Sequence, residues 1–68
     1  MTTWIESDHG IHYTEVNANH EQCAVRMSET GAELLRYPGG VFPPARTIHA
    51  SVEDAKARGE KWLNREPR

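Results

Sequence analysis

Residues 51 to 64 carry the one clear helical pattern of this chain, and what that helix needs most constrains the fold. Val52, Ala55, Gly59, Trp62 and Leu63 recur at helical spacing and form a single apolar stripe. Ser51, followed three residues later by Asp54, resembles a capping box, and Glu53 and Asp54 suit the positive end of the helix dipole. A stripe on one face must be buried against something. Gly59 at its centre costs about 1 kcal/mol relative to alanine in a helix, so close backbone packing is expected there, beneath Tyr13 or Tyr37.

The first half supplies the partner. Asp8-His9-Gly10 and Glu29-Thr30-Gly31 each place two polar residues before a glycine, between segments of strand-like composition. Both read as three-residue hairpin loops with glycine in the left-handed position. Asn17-Ala18-Asn19-His20 marks a third reversal. Strands are therefore expected at about 3–7, 11–16, 22–28 and 32–37, giving an α+β fold: a three- to four-stranded antiparallel β-meander with one C-terminal helix packed on one face. A loop over 38–50, anchored in the core by Val41, Phe42 and Ile48, joins sheet to helix, and a frayed tail occupies 65–68.

Loop lengths fix a register, and a slip of one residue would move every side chain to the other face. Three-residue loops set Ile5 opposite Tyr13, Val25 opposite Leu35 and Cys23 opposite Tyr37. At the middle turn, the closure pairing Tyr13 with Val25 is chosen, because the alternative buries His12 beside Val25. Ile5, Ile11, Tyr13, Cys23, Val25, Met27, Leu35 and Tyr37 are then expected under the helix. Trp4, His12, Arg26, Leu34 and Arg36 fall on the uncovered face.

The 68 residues suit one domain, 1–68, whose core is small, so self-association is a natural source of extra stability. Cys23 is the only cysteine, which excludes an internal disulfide and fits a reducing compartment. No apolar run is long enough to span a membrane. Residues Met1 to Glu6 have neither the basic start nor the apolar stretch of a signal peptide, and a cytoplasmic chain is expected.

Chemistry is sparse. His9, His12, His20 and Cys23 are spaced like paired zinc ligands, but the expected register spreads them over separate turns and opposite faces. The small zinc-binding protein stays an alternative. No phosphate-loop pattern is present, and Cys23 falls on the buried face, where a thiol is inert. Neither catalytic residues nor a cofactor are assigned. Three antiparallel strands followed by a helix resemble, in element order, double-stranded RNA-binding domains and the arm-binding domains of phage integrases. That resemblance implies a second alternative, a weak nucleic-acid-binding module using Arg26, Arg36 and Arg46, although the net charge of −2 opposes broad affinity for phosphate backbones.

The leading expectation is a non-enzymatic protein-interaction or regulatory module. Aromatic and arginine side chains beside an aliphatic neighbour are enriched in binding hot spots. The partner-binding residues expected are Trp4, His12, Arg26, Leu34 and Arg36, and the partner is another protein or a second copy in a homodimer.

Overall fold

The computed structural model describes residues 2–65. The chain forms β1 (Trp4–Glu6), β2 (His12–Thr14), β3 (Gln22–Ser28), β4 (Gly31–Tyr37), β5 (Ala45–His49) and α1 (Val52–Leu63). The strands make one antiparallel meander in the order β1-β2-β3-β4-β5, with α1 across one face. The α+β architecture is as expected, with one more strand. β5 occupies the second half of the expected loop, after Pro43-Pro44, and pairs along β4 from Ala32↔His49 to Arg36↔Ala45.

The first hairpin follows the sequence closely. Ser7 and Ile11 close a three-residue loop, with Ser7 N donating to Ile11 O at 2.8 Å. Gly10 takes the left-handed conformation (φ 76°), and Ile5 lies opposite Tyr13. The other two hairpins each depart by one residue, for different reasons.

At the middle turn, Asn17 and Glu21 close a three-residue loop, Asn17 N donating to Glu21 O, while the Asn17 Oδ1 accepts from the amides of Asn19 and Glu21. The strands beyond nevertheless pair His12↔Val25 and Tyr13↔Ala24. Extending that register sets Thr14 opposite Cys23, so Glu15 and Val16 together oppose Gln22 alone. This is the arithmetic of a β-bulge. Side chains supply the interrupted ladder bonds: Cys23 N donates to Thr14 Oγ1 at 3.0 Å, and Gln22 Nε2 donates to Thr14 O at 2.9 Å.

At the next hairpin the loop is only Glu29-Thr30, because Ser28 pairs with Gly31 rather than with Ala32. The Ser28 hydroxyl donates to Gly31 O at 2.8 Å and pins the short turn. Val25 therefore faces Leu34, not Leu35, and Cys23 faces Arg36, not Tyr37.

Each slip turns the strands flanking β3 over. Ile5, Ile11, Tyr13, Leu35 and Tyr37 do share a face, but it is opposite to that of Cys23 and Val25, and α1 covers the latter. The core consists of Cys23, Val25, Ala32, Leu34 and Ala55, with Trp4, Val52, Trp62 and Leu63 packed at its border. Met27 lies on the Val25 side but beyond the helix, and is mostly exposed.

The helix behaves as its stripe requires. Ser51 Oγ accepts from Asp54 N at 3.1 Å as the N-cap, and Ala55 and Gly59 are buried. Gly59 passes over Cys23 and Leu34, not beneath a tyrosine. A Cβ there would lie 3.1 Å from Leu34 Cδ1 and 3.3 Å from Cys23 Sγ. Val41 (97% exposed) and Phe42 (71%) project from the β4–β5 connection instead of anchoring it, and Ile48 is on the uncovered face. Of the expected frayed tail, residues 66–68 lie outside the described residues. Arg65 is held, its Nη2 2.6 Å from Glu21 Oε2 and its guanidinium over the Trp62 ring. No described helix is long and apolar enough to cross a membrane.

Candidate functional site

The five residues expected to bind a partner do not lie on one face. Trp4 points to the helix: its Nε1 donates to Glu60 Oε1 at 2.9 Å, and the Lys56 ammonium stands 5.7 Å from the ring centroid. It locks β1 to α1. Leu34 is fully buried at the centre of the core and has no surface to offer. His12 follows Trp4 onto the helix side of the sheet, 3.9 Å from Glu6. Arg36 is also on that side, its Nε buried without a hydrogen-bond acceptor. Only Arg26 is where the sequence put it.

The uncovered face is built from the residues expected in the core. One row crosses all five strands: Ile5, Tyr13, Ala24, Leu35 and Arg46 are successive cross-strand partners. The next row runs Arg26, Glu33, Ile48. Ile11, two residues before Tyr13, continues the same side, and Tyr37 extends it past Leu35. Ile5, Ile11, Tyr13 and Leu35 are half-buried by their neighbours, while Tyr37 and Ile48 are exposed.

Glu33 organises the polar centre of this surface. Glu33 is only 2% exposed although its side chain sits on the side away from the helix. Arg26 covers it from β3, Nε to Oε1 at 2.7 Å, and Arg46 covers it from β5 through its own Nε to Oε2. Burial opposes ionisation of Glu33, but the hydrogen bonds and positive charges of the two guanidinium groups together outweigh that cost and hold its carboxyl below the usual carboxylate range. Each arginine is thus fixed by its Nε, and its side chain remains more than half exposed. The trio carries a net charge of about +1.

The spaced histidines and the thiol do not converge. His9 and His20 lie in separate turns, and Cys23 Sγ points under the helix, 3.8 Å from Gly59 O. Burial pushes this thiol up to about 11 despite the nearby Arg36 charge, which leaves little thiolate at neutral pH. Among the described residues, no group of three or more histidine, cysteine and acidic side chains is placed to hold a metal ion.

The sequence put Ile48 in the core, where the structure exposes it, and did not show that Glu33 joins Arg26 to Arg46. The available signal was Thr47-Ile48 after Pro43-Pro44, a β-branched pair following a stiff entry. No protein-family model, curated protein or solved structure matches the chain.

Proposed function

We infer that this chain is a non-enzymatic interaction module that docks a partner protein on the uncovered face of its sheet. The observation that carries this reading is the row Ile5, Tyr13, Ala24 and Leu35, flanked by Ile11, Tyr37 and Ile48, on the side with no covering helix. An antiparallel sheet tolerates one solvated face when that face is polar. Here it is largely apolar, and contiguous exposed apolar surface marks interaction sites.

Charge selects the occupant. Arg26 and Arg46 give the centre of the face a net positive charge in a chain whose total is −2. Two copies face to face would oppose guanidinium groups, so a surface combining apolar and carboxylate side chains is the better complement. Nucleic acid is disfavoured because Arg36 lies on the helix side, which separates it from Arg26 and Arg46. The lone, buried Cys23 remains consistent with a cytoplasmic setting.

The test is affinity capture with the wild-type chain, a Leu35→Asp variant and an Ala57→Asp control on the exposed helix surface. Capture of one discrete protein, lost with Leu35→Asp and kept with Ala57→Asp, is the expected result. Unchanged capture by Leu35→Asp, or recovery of nucleic acid in place of protein, overturns the reading.

A further inference from the structure

A second feature lies on the opposite side of the sheet and is independent of the docking face. Arg36, from β4, reaches beneath the helix and lines a hollow of about 210 Å³ together with Arg58, Lys61 and Trp62. Among the described residues, no acidic side chain lines it. Arg36 Nε is buried and has no acceptor among the described residues, although buried donors are almost always paired. Among the described residues, neither Arg36, Arg58 nor Lys61 takes part in an ion pair. Lys61 has an ordinary reason to be in the last turn of α1, where cations complement the helix dipole. Arg36 has none, since it comes from the sheet. An anion in the hollow, facing the part of the Arg36 guanidinium that lines it, accounts for all three cations at once.

A second, larger and shallow depression of about 490 Å³, wide open to solvent, adjoins the first, sharing Arg58 and Lys61 and adding His49, Asp54 and Ala57. Asp54 makes it unsuitable for an anion but suitable for hydroxyl groups. The smaller hollow falls below the usual range for a whole ligand, about 300–1,000 Å³, and so fits one group of a molecule that continues next door. We propose that this site binds a small phosphate monoester, the phosphoryl group held by Arg36, Arg58 and Lys61 and the polar body lying against His49 and Asp54. A dianion with three terminal oxygens uses donors converging from a strand and a helix better than a planar carboxylate does.

The experiment is a ¹H–¹⁵N NMR titration of the full chain with inorganic phosphate, ribose 5-phosphate and ribose, at ionic strength matched with chloride. The Trp62 indole resonance reports the hollow. The Trp4 indole, bonded to Glu60 on the other flank of the helix, is an internal control. Saturable shifts of Trp62 with both phosphates, the ester at least about tenfold tighter, are expected. Arg36→Met, which keeps the aliphatic stem, should weaken both by about tenfold or more. Arg58→Gln, at an exposed position, serves as a second variant with the same expected direction should Arg36→Met fail to fold. Absence of a saturable shift, an equal response to chloride, undiminished affinity in the folded variant, or equal affinity for phosphate and ester would overturn the proposal.

Discussion

Glu33 and Gly59 show how single residues determine what each face of the sheet does. A carboxylate buried between Arg26 and Arg46 is a poor way to gain stability, because desolvation consumes most of what the ion pairs return. Its effect is to hold two guanidinium groups in place. Its lowered folded-state pKa fixes the sign of the pH effect: the stabilisation is present above the unfolded carboxylate range and is lost as the pH falls through the lower, folded value. Urea midpoints should therefore fall as the pH drops through the carboxylate range, and Glu33→Gln should flatten that fall. An unchanged pH profile in the variant would show that the Arg26–Glu33–Arg46 contacts do not form in solution. At Gly59, alanine would gain about 1 kcal/mol of helix propensity but meet Leu34 Cδ1 at 3.1 Å and Cys23 Sγ at 3.3 Å. Overpacking of this kind typically costs about 1–3 kcal/mol, so a net loss of about 1 kcal/mol is expected for Gly59→Ala. Denaturant melts of Gly59→Ala, Cys23→Ala and the double variant should show favourable coupling between the two sites.

Among the elements, the turns govern the outcome. Gly31 closes a two-residue loop at φ 138°, and a Cβ there would lie 2.6 Å from the carbonyl oxygen of His49. Gly31→Ala should accordingly cost at least about 2 kcal/mol and weaken β4–β5 pairing most. Faster amide exchange in β5 than in β2 would show it; uniform exchange would contradict it. The same turn explains what could be read from the sequence. The helix, its Ser51 cap, its buried stripe and the first hairpin were legible because local chemistry sets them: a cap, a period, a glycine three residues after the strand. The registers of β3 against its neighbours were not. Glu29-Thr30-Gly31 is compatible with a two- or a three-residue loop, and the choice rests on Gly31 packing against His49 of a strand the sequence pattern did not reveal. The bulge at Glu15-Val16 rests on the Thr14 hydroxyl and the Gln22 amide replacing ladder bonds, which no period displays. Each ambiguity is a single residue: the bulge inverted the faces assigned to Trp4 and His12, and the shorter loop those assigned to Leu34 and Arg36.

For the molecule as a whole, those inversions give a sheet with two apolar sides and one helix. The side under α1 is small, centred on Cys23, Val25 and Leu34, and Trp4 and Arg65 tie its margins down through Glu60 and Glu21. The other side is the surface on which we place the partner. Photocrosslinking tests this most directly, with benzoylphenylalanine placed in turn at Tyr13, at Tyr37 and at Ala57 of the chain expressed in its source cell. The account predicts one discrete protein adduct from positions 13 and 37, mapped to an apolar segment bearing acidic side chains, and none from position 57. An adduct from position 57 alone, or none from 13 and 37, would contradict it.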